Sequence, residues 1–226
     1  MRLFITLFFC ISLLGGFANG GYTSLAEALK NPQGAKSLNL SSKGLTVLSE
    51  DIGKLVNLER LDVSTNSLTA LPKALFTLKK LKYLNITANK LKSIPAGIAN
   101  LKNLEELEIG FNKLNSLPKE TGMLIKLNRL VAAKNNLKAL PAEIKLLTAL
   151  QIIDFSYNQF EAMPDVLTAL SKLKSIDLSF NKLLAAYPAD IKNLQGLRIL
   201  NLKSTKINAK QADELTWLIP DCQVLL

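Results

Sequence analysis

The sequence contains no histidine. That removes the commonest general base and metal ligand, and with it Ser-His-Asp, Cys-His and His-based zinc chemistry. Cysteine occurs only as Cys10 and Cys222. Cys10 falls in a segment expected to be cleaved, so the mature chain keeps one thiol and no internal disulfide is expected. Aromatic residues make up 6% of the chain, leaving Leu and Ile to carry most of an apolar content of 48%. A core built mainly from Leu suggests one small packing unit used many times. Arginine appears only at 2, 60, 129 and 198, although the net charge is +10. A nucleic-acid reader favours Arg, clusters its basic residues and interleaves aromatics. Here lysines are spread along the chain, which reads as a solubilising surface with no nucleic-acid partner. There is no glycine-rich phosphate loop and no metal-ligand spacing, so neither cofactor nor metal is expected, and no enzyme activity.

Residues 1–20 have the three-part layout of a secretory signal peptide. Met1-Arg2 gives a positive start, Leu3 to Phe17 an apolar run, and Ala18-Asn19-Gly20 small residues before a cleavage site at Gly21. The run falls short of the roughly 20 apolar residues that span a bilayer. Export is therefore expected, to the outside, the periplasm or the cell surface, with no transmembrane span after cleavage.

Beyond that the chain repeats itself. Leu58, Leu81, Leu104, Leu127, Leu150 and Leu173 follow one another at 23-residue steps. Each opens the template L-x-x-L-x-L-x-x-N-x-L-x-x-L-P-x-x-I-x-x-L-x-x. Asparagine recurs at 66, 89, 112, 135, 158 and 181, and proline at 72, 95, 118, 141, 164 and 188. The last proline is one place late, because Leu183-Leu184-Ala185-Ala186 holds a one-residue insertion. Apolar and polar residues alternate with period two in L-x-x-L-x-L, which predicts a short strand with one face inward. Leu-Pro breaks the chain, and Ile and Leu three apart predict a short helical turn. One such coil cannot cover its own apolar face, whereas stacked neighbours can. The asparagine side chain both donates and accepts, and suits the buried backbone groups where the strand turns away.

These residues resemble the leucine-rich-repeat family from Ala35 to about Ile207, and the long template with L-P-x-x-I-x-x-L resembles its secreted bacterial members. The resemblance implies an α/β solenoid: a curved right-handed superhelix with a concave parallel sheet and short helical or 3-10 turns on the convex side. Counting a degenerate first coil at Ala35–Leu40 and a last strand from Leu197, about eight coils are expected. Ser24-Leu25-Ala26-Glu27 reads as a capping box opening an N-terminal cap helix within 21–34. Residues 208–226 read as a C-terminal cap of helix plus strand, with Asn208 capping a helix from Ala209 to Leu218. Trp217 and Cys222 are expected to pack against the last coil.

The polar positions flanking the inward residues line the concave face. One column reads Ser37, Arg60, Tyr83, Glu106, Arg129, Ile152, Ser175, Ile199, and the next Asn39, Asp62, Asn85, Glu108, Val131, Asp154, Asp177, Asn201. A third, just before the asparagine, includes Phe111, Lys134, Tyr157 and Phe180. Exposed aromatics and Arg are enriched at interface hot spots. Arg60, Tyr83, Glu106, Glu108, Phe111, Arg129, Ile152, Asp154, Tyr157 and Phe180 are therefore the candidate partner-binding residues. Two blander readings stand beside this one. Small polar residues suit a crowded parallel sheet, and Phe111 and Phe180 can tuck against neighbouring turns. Glu106 and Glu108 share a face too flat, on this reading, to raise a carboxyl pKa. The expected function is an exported, monomeric, non-catalytic module that binds a protein or peptide. The alternative is an envelope protein holding anionic polymer or lipid through convex lysines such as Lys79, Lys80, Lys102 and Lys126. The sequons Asn39-Leu40-Ser41 and Asn85-Ile86-Thr87 are read as chance.

Overall fold

The structure is a computed structural model that describes residues 20–226, so the signal-peptide reading lies outside the described residues. Ten strands form one parallel sheet in strict chain order. Eight of them are the repeat strands: β2 (Ser37–Asn39), β3 (Arg60–Asp62), β4 (Tyr83–Asn85), β5 (Glu106–Glu108), β6 (Arg129–Val131), β7 (Ile152–Asp154), β8 (Ser175–Asp177) and β9 (Ile199–Asn201). Their register aligns Ser37, Arg60, Tyr83, Glu106, Arg129, Ile152, Ser175 and Ile199, as the repeat spacing requires. The structure is a leucine-rich-repeat solenoid of about eight coils.

Each of the strands β2 to β8 is followed by a 3-10 turn on the far side of the coil, from Glu50–Lys54 to Ala189–Asn193. Six of the seven turns begin just after a proline (72, 95, 118, 141, 164 and 188) whose extended backbone stops the chain before it winds. Only short 3-10 segments fit, because the chain must return to the sheet within one repeat. Between strand and turn lies a continuous file of buried Leu, Ile and Phe running through every coil. Phe155 and Phe160 are both fully buried in it, with ring centroids 5.9 Å apart. Where turns pack most closely, Gly122 lies against the Glu143 carbonyl with no room for a Cβ.

The ladder asparagines do what their chemistry allows. Asn89, Asn112, Asn135, Asn158 and Asn181 are buried. Each side-chain oxygen accepts an N–H from the preceding coil, as Leu91 N to Asn112 Oδ1 at 3.0 Å. Each amide donates both to that coil and to its own, as Asn112 Nδ2 to Ile86 O at 3.0 Å and Ile109 O at 3.1 Å.

The caps differ in part from expectation. Helix α1 is a single turn, Leu25–Ala28, with Ser24 accepting from the Glu27 N–H. Ahead of it, strand β1 (Gly21–Tyr22) pairs with β2 and extends the sheet, which the sequence reading missed. At the other end α2 (Ala209–Leu218) is closed by a capping box between Asn208 and Gln211, and β10 (Gln223–Leu225) pairs with β9. Cys222 is buried there, and burial pushes its thiol up to about 11. Trp217 is a correction: it is 87% exposed. Leu215 is the buried residue of α2, and a side chain two positions on points roughly 200° away round a 3.6-residue helix.

Candidate functional site

The residue before each ladder position, which holds asparagine in six coils and Lys43 and Thr205 in the first and last, has a left-handed backbone. Ser42, Thr65, Ala88, Phe111, Lys134, Tyr157, Phe180 and Ser204 all have φ between 53° and 57°, and none is glycine. That conformation costs a non-glycine residue roughly 1–2 kcal/mol. It is held by the ladder: the Phe111 N–H donates to Ala133 O at 2.7 Å, and every coil but the last, that of Ser204, repeats this bond. The twist swings the following asparagine inward and throws the preceding side chain outward, onto the rim of the open sheet face. Phe111 and Tyr157 are each 50% exposed for this reason.

Four successive rim residues interact in two pairs. Lys134 Nζ lies 4.8 Å from the centroid of the Phe111 ring, and the Tyr157 and Phe180 rings stack at 4.1 Å with 7° between planes. Tyr157 and Phe180 therefore lie against one another along the rim, and Phe111 lies against the Lys134 side chain. On the sheet face the Arg60 guanidinium lies 4.1 Å above the Tyr83 ring. That contact and the close neighbours leave Tyr83 only 7% exposed, so it is not the free aromatic the column pattern suggested. Burial holds its phenol well above the usual value, and the Glu108 and Asp62 charges push it the same way.

The acid-and-amide column has a local purpose. Asn39, Asp62, Asn85, Asp154, Asp177 and Asn201 each accept the backbone N–H two residues on, at 2.8–3.2 Å. Ser156 and Ser179 add a hydroxyl donated to Asp154 and Asp177. In the two sequons this cap occupies the side-chain oxygens of Asn39 and Asn85. Coils β5 and β6 break the pattern. Glu108 is one methylene too long, Val131 has no acceptor, and the residues two on are Gly110 and Ala133.

Freed from capping, Glu108 turns to Arg129, with Oε1 and Nε 3.5 Å apart and both side chains largely covered. Burial raises the Glu108 carboxyl above its ordinary value, against the pull of the Arg129 charge and hydrogen bond. Burial raises Asp154 as well, against the two bonds from Ser156. The expectation that this face is too flat to perturb a carboxyl is thus corrected. Neighbouring side chains supply the desolvation that an isolated strand lacks. Among the described residues, no group of acids or thiols has the arrangement of a metal site.

A family model described as a leucine-rich repeat region matches residues 26–134. A leucine-rich-repeat protein of Leptospira interrogans is 32% identical, with a TM-score of 0.76 over 91% of this chain and 57% of that one. The chain is a leucine-rich-repeat protein. It spans just over half the length of the Leptospira structure. A plant peptide hormone receptor, RGFR1, solved in complex with RGF2, is 29% identical at a TM-score of 0.72, over 91% of this chain and 33% of the receptor. An internalin of Listeria monocytogenes shares the fold, at 20% identity and a TM-score of 0.64 over 90% of this chain and 64% of that one. No curated protein matches.

In this leucine-rich-repeat protein the candidate residues form three groups and a separate acid, Asp154, rather than one patch. Arg60 and Tyr83 pair at the N-terminal end. Arg129 and Glu108 pair in the middle, with Glu106 and Ile152 flanking Arg129 in register. Phe111, Tyr157 and Phe180 lie on the rim, and Asp154 sits on the sheet beside Asp177. Sequence reasoning left Lys134 out of the patch, although it stands between Phe111 and Tyr157 in the same column. It also passed over Lys182 and Leu183, for which the insertion was the available signal.

Proposed function

We propose that this protein is an exported, non-catalytic module that holds a protein or peptide ligand on the inner face and rim of its sheet, and that it acts as a monomer. The observation that carries the reading is the rim row Phe111, Lys134, Tyr157 and Phe180. Two rings there are half exposed, with a left-handed backbone under each and no core to fill. Exposed, pre-positioned aromatics beside cations are what interface anchors are made of, because they bury large area at little entropic cost. Arg129, Glu108 and Ile152 extend the surface across the sheet. Eight strands about 4.8 Å apart give a face roughly 35 Å wide, which suits a protein or peptide. The plant receptor complex supports a peptide reading by analogy of fold. Export rests on the layout of residues 1–20, and among the described residues no helix is long and apolar enough to cross a membrane.

The test is a pull-down with protein from Gly21 onward. It compares wild type with Phe111→Ala/Arg129→Ala/Tyr157→Ala at low and moderate salt. A partner kept by wild type in moderate salt and lost by the triple variant is the expected result. Capture that ignores the substitutions and vanishes with salt would instead place binding on the exposed lysines.

A further inference from the structure

The β8 coil is one residue longer than its neighbours, and the extra residue is absorbed directly after Asn181. The ladder bonds of Asn181 survive, at 3.1 Å from Phe160 N and 3.0 Å to Phe155 O. The chain then rejoins the previous coil through Ala185 N to Glu161 O and Met163 N to Ala186 O, both at 2.9 Å. Gln211 of α2 braces it by donating to Ala185 O at 2.9 Å. The local result is that Leu184 is buried, while Leu183 stands 49% exposed beside Lys182.

Lys182 and Leu183 thereby become one wall of an open cavity of about 340 Å³. The Tyr157–Phe180 stack, Lys134 and Gln159 also line it, with the ladder residues Asn135 and Asn158. No carboxylate lines it. This differs from the adjoining sheet face, where Glu106, Glu108, Asp154 and Asp177 all lie. The volume is at the low end of the roughly 300–1,000 Å³ of small-ligand sites, so it suits one anchor side chain of a longer partner. Apolar walls select a ring or branched chain, and two ammonium groups with no acid between them select negative charge beside it.

We infer that this cavity is the anchor site for an acidic peptide segment: one aromatic side chain of the partner lies against Tyr157, Phe180 and Leu183, and its flanking carboxylates meet Lys134 and Lys182. The inference rests on the binding-module reading and adds the partner's chemistry and a position to it. The partner's acids belong over the rim, because the carboxylates of the sheet face repel them further in.

The experiment measures fluorescence anisotropy with four labelled probes at physiological salt. They are a random copolymer of glutamate and tyrosine, polyglutamate, a lysine–tyrosine copolymer and polygalacturonate. Wild type should bind the glutamate–tyrosine copolymer about tenfold more tightly than polyglutamate, roughly the contribution of one well-seated ring. Lys182→Glu/Leu183→Ser should abolish that preference without moving the melting temperature, since both side chains are exposed. Equal binding of polyglutamate, a preference for polygalacturonate or the lysine copolymer, absence of binding, or indifference to the double variant would each overturn the proposal. A natural partner lost by Phe111→Ala/Arg129→Ala/Tyr157→Ala but kept by Lys182→Glu/Leu183→Ser sinks the anchor site alone. If that partner ignores both variants, the binding-module reading falls too.

Discussion

Replacing Asn112 by alanine removes four hydrogen bonds at once. The amide donates to Ile86 O at 3.0 Å and to Ile109 O and Gly110 O at 3.1 Å, while Oδ1 accepts from Leu91 N at 3.0 Å. The four are not equal losses. Ile86 O keeps a bond from Asn89 Nδ2, Ile109 O keeps one from Asn135 Nδ2, and Gly110 O keeps one from Ala88 N. Only the Leu91 N–H is left buried without a partner. One orphaned buried donor costs about 1–3 kcal/mol. For a chain of this length that corresponds to a fall in melting temperature of roughly 2–12 °C. Asn112→Asp separates donor from acceptor: it keeps an oxygen for Leu91 N but turns a carboxylate on three carbonyl oxygens. Burial and those dipoles raise its folded pKa above the unfolded value. The charged variant is therefore less stable than Asn112→Ala at neutral pH, and it regains stability as pH falls through the raised pKa. Urea unfolding followed by circular dichroism, at pH 7 and pH 4.5, reads both effects. An alanine variant within about 0.5 kcal/mol of wild type, or an aspartate variant as stable as alanine at pH 7, would refute the accounting.

Three other outcomes follow from the same geometry. Gly122→Ala forces a methyl into the Glu143 backbone carbonyl, so the two adjacent 3-10 turns must part; a loss of about 1–3 kcal/mol in unfolding free energy, read as a lowered urea midpoint, is expected, and an unchanged midpoint would contradict the packing. Val131→Asn/Ala133→Ser copies the Asn39/Ser41 pair into a coil that lacks the cap and should stabilise by about 0.5–1.5 kcal/mol, read as a raised melting temperature. Asp154→Asn keeps the cap but removes a carboxyl whose folded pKa is raised by burial. A raised acid binds its proton more tightly when folded, so it contributes destabilisation that grows as pH rises from the unfolded pKa through the folded one. The asparagine variant should therefore gain relative to wild type between acidic and neutral pH. Parallel melting curves across that range would show that Asp154 does not titrate differently on folding.

Much of the fold was legible because a stacked coil must repeat its length. Leu58 to Leu173 in 23-residue steps, the prolines that open the turns and the asparagine ladder all reappear where the spacing put them. The C-terminal helix was legible through Asn208 and Gln211, a purely local signal. The site was legible by column but not by contact. Reading Tyr83 as a free aromatic failed because Arg60, 23 residues away, covers its ring. The acidic column invited an electrostatic reading, yet most of its members are occupied with their own backbone. Trp217 was misplaced because being apolar was weighed above its angle on the helix from Leu215. Strand β1 carries only Gly21 and Tyr22, too short for any alternation to register.

By itself, then, the sequence determined coil length, the inward file of Leu and Ile, the buried asparagines and the order of residues along each column. All of these follow from local periodicity, which stacking merely copies. Only the tertiary structure decided what lies between columns. The left-handed residue before each asparagine turns Phe111, Tyr157 and Phe180 outward, although no glycine marks the place. The spacing between coils brings two rings to 4.1 Å and an ammonium group over a third. A single inserted residue, braced by the helix of the C-terminal cap, opens a cavity beside them. Those contacts join residues about one repeat or more apart, and pair geometry at that separation depends on how the coils twist and stack, which no single coil's sequence contains.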